Sequence, residues 1–279
     1  MRLVTAQPPE FDSEIAGYYD RAPEEDRLEQ GAFLLESLRT RELIQRYAPS
    51  APATVVDIGG AAGAYALWLA EAGYTVHLVE PVARLVAEAR RRSAARSHPL
   101  ASCEVGDARS TNFADRTADL LLLLGPLYHL TTSEDRARAL SEAARVLKPG
   151  GRLLAAAISR WASALDGLAR DLFQDPAFRA IVEEDVRHGQ HRNPTRRLDF
   201  FTTAYFHHPE ELRAEALDAG LLIDGVFGIE GPGWLFPDVS ERLEDARRRA
   251  DLLWVAGVFE SEPSLLGVSA HLLLVGRKP

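Results

Sequence analysis

The chain has 279 residues, of which 46% are hydrophobic and 26% charged, and these proportions predict a globular protein with a sizeable core rather than a disordered one. The formal net charge of -9 at pH 7 disfavours nucleic acid as a partner, because an acidic surface repels the phosphate backbone. The single cysteine, Cys103, excludes an intramolecular disulfide and a multi-cysteine metal site.

Residues 1–50 are predicted to form an N-terminal helical cap. Met1–Glu10 has no apolar signal-peptide pattern, and no run in the chain reaches the roughly 18 apolar residues of a membrane span. We therefore expect a cytoplasmic protein that does not bind membranes. From Glu10 to Tyr47 apolar residues recur at helical spacing. The linker Pro49–Pro52 then leads into residues 51–279, which we interpret as one catalytic domain.

Strand and helix patterns alternate after this linker. Short apolar runs, several rich in β-branched residues, predict strands at Thr54–Ile58, Thr75–Val79, Ala101–Val105, Ala118–Leu124 and Arg152–Ile158. Helical spacing predicts helices at Ala64–Ala72, Val82–Arg96 and Ser133–Leu147. Such alternation is typical of βαβ crossovers and predicts a Rossmann-like, doubly wound α/β sheet.

Residues 160–208 interrupt the alternation. Because they form a connection several times longer than usual, we interpret them as a lid insertion over a functional site. Together with the N-terminal cap, this insertion is expected to become ordered when a ligand binds. Thr202–His208 is expected to return to the sheet after the insertion. Pro209 then opens a helix, and strand-like runs follow at Leu221–Ile229 and Val268–Val275.

A glycine-rich turn follows the first predicted strand. Gly59, Gly60 and Gly63 lie there, where glycines allow backbone N–H groups to approach a ligand closely. Such turns also occur simply because a tight turn needs positive φ. Glu80 closes the second strand about 20 residues later, where Rossmann-type folds place a carboxylate that accepts from ribose hydroxyls. Both NAD and S-adenosylmethionine would satisfy this pattern.

Two later motifs distinguish the two cofactors. Gly106-Asp107-Ala108 closes the third strand, and Lys148-Pro149-Gly150-Gly151 turns a helix into the fifth. With these motifs, residues 50–160 resemble the class I S-adenosylmethionine-dependent methyltransferases. Tyr18-Tyr19, Gly125–Leu130 and Glu230–Trp234 resemble a large, poorly characterised bacterial branch of that family.

The resemblance implies a seven-stranded sheet with an antiparallel final strand, S-adenosylmethionine as cofactor, and methyl transfer to O, N or C of a small-molecule metabolite. It also implies the cofactor contacts: Asp57 beneath the methionine end, Gly59, Gly60 and Gly63 around it, Glu80 on the ribose, and Asp107 with Ala108 at the adenine. The chain departs from the family pattern at Ala61, where a further glycine is usual.

Tyr128 and His129 follow the fourth strand and are predicted to face the transferable methyl group. Methyl transfer mainly requires alignment and exclusion of water, so a base is optional. A neutral His129 could accept a proton from a hydroxyl or amine, or could bond a backbone carbonyl and order its loop. His208 has the same catalytic prediction, with helix capping before Pro209 as the alternative.

Aromatic residues are predicted to bind the acceptor. The candidates are Tyr18, Tyr19, Trp161, Tyr205 and Trp234, although core packing is the commoner role of tryptophan. No metal is expected, because the adjacent His207 and His208 do not converge on one point. His271, in the last strand, is expected to be structural.

Two other functions remain open. An NAD-dependent oxidoreductase is favoured only by the glycine turn and Glu80, and comparing the binding of NAD and S-adenosylmethionine would decide. A non-catalytic sensor or scaffold would bind the cofactor tightly and methylate nothing. The sequence leaves the acceptor and the oligomeric state undetermined.

Overall fold

The computed structural model describes residues 12–19, 21 and 24–279. Met1–Glu10, where no signal-peptide pattern is expected from the sequence, lies outside the described residues. Strands occur at β1 Thr54–Ile58, β2 Thr75–Glu80, β3 Ser102–Val105, β4 Ala118–Leu123, β5 Leu147–Ser159, β6 Gln190–His191, β7 Ala204–His207, β8 Leu222–Gly228 and β9 His271–Arg277. Helices occur at α1 Ser13–Tyr19, α2 Gly31–Tyr47, α3 Ala64–Glu71, α4 Ala83–Ala94, α5 Pro126–His129, α6 Ser133–Val146, α7 Ala162–Ala169, α8 Pro176–His188, α9 Pro209–Asp218, α10 Val239–Glu244 and α11 Ala246–Phe259.

Seven of the strands form the predicted sheet. β3, β2, β1, β4 and β5 are parallel neighbours in that order. β9 pairs antiparallel with β5, and β8 pairs antiparallel with β9. The doubly wound α/β architecture and the antiparallel final strand are thus confirmed.

The described sheet contains nine strands rather than seven. β7 runs parallel to the end of β5, with Phe206 opposite Ile158 and His207 opposite Ser159, and β6 pairs antiparallel with β7. The insertion therefore returns to the sheet as a two-stranded extension at the carboxyl end of β5. The pairing is short because it involves only the last residues of that strand.

The central strand β4 shows why the sheet is covered on both faces. Leu120–Leu123 are all fully buried, and alternate residues join opposite hydrophobic clusters, as the period of two in a strand requires. Helices α6 and α9 cover one face, and α2 and α3 cover the other.

Within the part of the chain that the structure describes, none of the helices has the length and apolarity to cross a lipid bilayer.

Strand order reverses between β1 and β4. β2 lies on the far side of β1, and β5 lies on the far side of β4. Ligands of open α/β sheets bind in the crevice that such a reversal leaves at the carboxyl ends of the strands. The site should therefore lie where β1 meets α3 and where β4 meets α5.

Candidate functional site

A cavity of about 490 Å³ occupies this crevice. The carboxyl ends of β1, β2 and β4, the loop after β3 and the inner side of α2 all contribute to its walls. All seven residues predicted to contact the cofactor line it, namely Asp57, Gly59, Gly60, Gly63, Glu80, Asp107 and Ala108. The topology thus brings together residues that are separate in the sequence.

Glu80 holds the glycine-rich turn in place. One of its carboxylate oxygens accepts from the Ala61 N–H at 3.0 Å, and the other accepts from the Val82 N–H at 3.0 Å. A Cβ at Gly59, whose φ is +75, would lie 2.6 Å from Pro126. A Cβ at Gly60 would lie 2.7 Å from the Asp57 carboxylate. These two positions therefore require glycine.

Ala61 has a φ of 47, in the left-handed region that favours glycine. This explains why a glycine is usual here in the family that the sequence resembles. We expect Ala61→Gly to raise the free energy of unfolding by about 1 kcal/mol, because it relieves this strain. Chemical denaturation would measure the change.

The matched control for this substitution is Ala62→Gly. Ala62 is buried and is not among the residues with positive φ, so the added backbone freedom should lower the free energy of unfolding by roughly 0.5–1 kcal/mol. Destabilisation of similar size by both substitutions would contradict the strain at Ala61.

Asp57 is 1% exposed, and its Oδ2 has no hydrogen-bond partner among the described residues. Burial, with a further contribution from the charge of Glu80, raises the pKa of this carboxyl to about 7. An uncompensated buried carboxylate is costly. The position therefore suits a ligand that brings a cationic group to this wall.

Asp107 is held by Arg109 at the other end of the cavity. Arg109 Nε donates to Oδ1 at 2.9 Å and Nη2 donates to Oδ2 at 2.8 Å. Arg109 also contacts Asp135 at 3.1 Å. Oδ1 also accepts from the Arg109 backbone N–H at 2.8 Å, whereas Oδ2 retains a second lone pair, so Asp107 can still accept a hydrogen bond from a ligand through Oδ2.

His129 is a neutral histidine with a defined tautomer. Its Nδ1 lies 3.2 Å from the Thr203 carbonyl, and because a carbonyl only accepts, Nδ1 must carry the proton. Its Nε2 therefore accepts from the Tyr19 hydroxyl at 2.7 Å. Burial lowers the pKa of His129 to about 4. Both imidazole nitrogens therefore have hydrogen-bond partners. The bond to the carbonyl is the one expected if His129 orders its loop.

Helix α1 contributes to the cavity wall beside this loop. Tyr19 and Tyr128 line the cavity, and the Tyr19 ring meets His129 edge-on at 5.3 Å. Tyr18 lies behind them against Phe201, at 5.6 Å between ring centroids. The contacts join the N-terminal cap to the insertion.

Besides Tyr18, four predicted residues do not line the cavity. His208 is the N-cap of α9, its N–H donating to Glu211 at 2.9 Å, and its ring contacts Trp161 at 5.4 Å. The Tyr205 ring lies 3.8 Å from the Arg136 guanidinium. Trp234 donates its indole N–H to the Val268 carbonyl at 2.9 Å. The structure therefore does not bring these side chains together with Tyr128 and His129 at the cavity.

The sequence did not single out the charged residues at one end of the cavity. His271 was expected to be structural, but it lines the cavity together with Arg27 and Glu36. Its Nδ1 lies 2.6 Å from Glu230 Oε1 and 4.0 Å from Glu36 Oε2. Burial opposes protonation, but Glu36 and Glu230 outweigh it and raise the pKa of His271 to about 9. Glu230 opens the Glu230–Trp234 motif, which was the available sequence signal.

The family model described as "Methyltransferase domain" matches residues 56–155. The ubiquinone/menaquinone biosynthesis C-methyltransferase UbiE of Acidiphilium cryptum is 31% identical over 185 residues, which cover 65% of this chain and 69% of that protein. The probable tRNA methyltransferase 9B of Mus musculus is 33% identical over 120 residues, covering 42% of this chain and 24% of its own. Two further curated methyltransferases are matched over 46% and 59% of their lengths.

Among solved structures, a possible histamine N-methyltransferase of Thermotoga maritima shares the fold. Its TM-score is 0.57 at 21% identity, and the match covers 95% of this chain and 100% of that protein. Three findings indicate the same family: the strand order, the glycine turn between β1 and α3, and the extent of the UbiE match. The chain belongs to the class I S-adenosylmethionine-dependent methyltransferases.

Proposed function

We propose that the protein transfers the methyl group of S-adenosylmethionine to O, N or C of a small-molecule acceptor. The observation that carries this proposal is the placement of three carboxylates, Asp57, Glu80 and Asp107, along one cavity. S-adenosylmethionine has three groups of hydrogen-bond donors in a row: an α-ammonium, a ribose diol and an adenine amino group. The family resemblance pairs them with the three carboxylates in that order.

The same carboxylates argue against NAD. The diphosphate of a dinucleotide would lie at the glycine turn, beside the buried carboxyl of Asp57 and the carboxylate of Glu80. The charge of Glu80 and that of the ionised form of Asp57 repel a diphosphate but attract an ammonium group. An oxidoreductase is therefore the weaker candidate.

Transfer is a displacement in which the acceptor lone pair bonds to the methyl carbon as the carbon–sulfur bond breaks. The protein must align the three atoms and exclude water, and the rings of Tyr19 and Tyr128, which line the cavity, support this. His129 Nε2 accepts from Tyr19, so an acceptor that displaces the tyrosine hydroxyl would meet a proton acceptor there. A pKa of about 4 makes His129 a weak base, and alignment is its larger contribution.

Charge and enclosure favour a small acceptor over RNA. The net charge is -9, and Tyr19 of α1 contacts His129 at the wall of the cavity. A polynucleotide would need a basic approach and an open mouth. The free thiol of Cys103 suits a reducing compartment, and we place the reaction in the cytoplasm.

Calorimetry with S-adenosylmethionine, S-adenosylhomocysteine and NAD tests the cofactor. We expect binding of the first two and none of NAD. Transfer of a labelled methyl group to a small-molecule extract, with tRNA as a parallel substrate, tests the acceptor class. Labelled small molecules support the proposal, and labelling of tRNA alone would refute it. Tight cofactor binding without transfer to any acceptor would instead indicate a sensor or scaffold.

In the same assay, His129→Ala and His129→Gln separate base catalysis from alignment. If alignment dominates, Gln should keep most of the methyl transfer rate, because its amide can still bond Thr203 or Tyr19, while Ala should lose it. A base predicts that both variants lose roughly 10²–10⁴-fold in rate. Full activity in His129→Ala would exclude both roles.

A further inference from the structure

Four charged side chains form one cluster at the end of the cavity that lies above β9. This His271 cluster consists of Arg27, Glu36, Glu230 and His271. Arg27 Nη1 lies 3.1 Å from Glu36 Oε2. Both oxygens of Glu230 accept from His271, one from Nδ1 at 2.6 Å and one from the backbone N–H at 3.1 Å. Two cations thus face two carboxylates.

The His271 cluster lies beyond the residues assigned to the cofactor. Asp107, Glu80 and Asp57 follow or end β3, β2 and β1, whereas His271 begins β9, on the other side of β4 and β5. Three strand spacings separate β1 from β9, about 14 Å. A cofactor bound along β3, β2 and β1 would leave this end of the cavity open to the acceptor.

Two atoms of the His271 cluster have no partner among the residues that the structure describes. Within the described ranges, His271 Nε2 and Glu36 Oε1 make no hydrogen bond or ion pair. Both residues line the cavity, and their side chains are 17% and 12% exposed. Because the carboxylates keep His271 protonated at neutral pH, Nε2 is a donor, and Glu36 Oε1 beside it is an acceptor.

We propose that the His271 cluster binds the methyl acceptor through these two atoms. The acceptor presents a carbonyl or ionised oxygen to His271 Nε2, and next to it an O–H or N–H that donates to Glu36 Oε1. Hydroxy ketones, hydroxy acids and amides with a neighbouring hydroxyl have this pair of groups. The assignment of an acceptor, though not the binding of a ligand, rests on the proposed function.

A divalent cation is the competing occupant, since the ligand atoms of Glu36, Glu230 and His271 lie within 4.8 Å of one another. Two observations disfavour it. The Arg27 guanidinium already contacts Glu36. The Nδ1 atom that would bind a metal donates to Glu230, and metal binding would require that proton to leave.

The test uses salicylamide, whose carboxamide carbonyl and N–H groups stand ortho to a phenolic O–H, with 2-methoxy-N,N-dimethylbenzamide as a probe of similar shape that has no donor. Each is titrated by NMR at millimolar concentration into the full chain saturated with S-adenosylhomocysteine. We expect His271→Asn to weaken salicylamide binding about tenfold or more. Asparagine preserves a donor at the position of Nδ1 but removes Nε2.

The affinity for S-adenosylhomocysteine should stay within about twofold of the wild-type value, because the His271 cluster lies beyond the cofactor. His271→Gln, which keeps a donor near Nε2, should recover part of the salicylamide binding. Glu36→Gln removes the acceptor charge and provides a second variant should His271→Asn unfold. His98→Asn, on an exposed histidine outside the cavity, is the control and should change nothing.

Four results would overturn the proposal. The first is absence of salicylamide binding to the wild-type protein, and the second is equal binding of the probe without donors. The third is an equal loss of S-adenosylhomocysteine affinity in His271→Asn, which would assign the cluster to the methionine end of the cofactor. The fourth is saturable Mn²⁺ binding that His271→Asn abolishes, which would make the cluster a metal site. Failure of the proposed function would appear separately, as absence of cofactor binding to the wild-type chain.

Discussion

Glu80→Ala should lower the affinity for S-adenosylhomocysteine on the order of 10²–10³-fold. The substitution removes a charged partner of the ribose hydroxyls, a contribution of about 1.5–3 kcal/mol. It also removes the acceptors of the Ala61 and Val82 N–H groups, so the turn that surrounds the cofactor loses its support. Isothermal titration calorimetry on the purified variant measures the combined loss.

Two controls separate these contributions. Glu80→Gln keeps one oxygen acceptor and should lose less affinity than Glu80→Ala. Glu184→Ala removes an exposed glutamate of α8 that pairs with Arg187, and neither residue lines the cavity, so it should leave binding unchanged. An unchanged affinity in Glu80→Ala would refute the assignment of Glu80 to the cofactor.

The parallel strands could be predicted because their cause is local. Thr54–Ile58 is a short run rich in β-branched residues followed by glycines, and the observed β1 has the same bounds. The return of Thr202–His208 to the sheet could also be predicted. The pairing of β7 with the end of β5 and the two-residue strand β6 could not, because these contacts depend on the whole fold.

The residues expected to contact the cofactor could also be predicted, since each ends or follows a predicted strand at the edge where parallel strands end. The residues proposed to bind the acceptor could not be predicted. His271 shows only an alternating strand position in the sequence, and its partners Glu36 and Glu230 belong to α2 and to the segment after β8. Tyr205 was placed near the cavity from its position in the chain, but its ring contacts Arg136 instead. Side-chain direction depends on neighbours that the sequence does not identify.

Asp57→Asn should make the protein more stable at pH 8 while it weakens cofactor binding. The pKa of the Asp57 carboxyl is raised from 3.8 to about 7, so between these values the folded state binds more protons than the unfolded state. The free energy of unfolding therefore falls as pH rises through this window. Asparagine does not titrate, and above the window it should gain about 2–4 kcal/mol relative to aspartate.

Denaturant unfolding at pH 4 and pH 8 tests this prediction, because the difference between Asp57→Asn and the wild type should nearly vanish at the lower pH. Asp119→Asn is a control of opposite sign. Burial alone would raise the pKa of Asp119, but Lys148 and the Thr54 N–H lower it, so this variant should be less stable than the wild type at pH 8. If the wild type is more stable than Asp57→Asn at pH 8, the folded state stabilises the Asp57 carboxylate and the prediction is wrong. The expected result is that Asp57→Asn is more stable at pH 8 but binds S-adenosylhomocysteine more weakly. In that case Asp57 lowers the stability of the folded protein and is kept for ligand binding. Its charge is compensated only when a cationic ligand occupies the cavity.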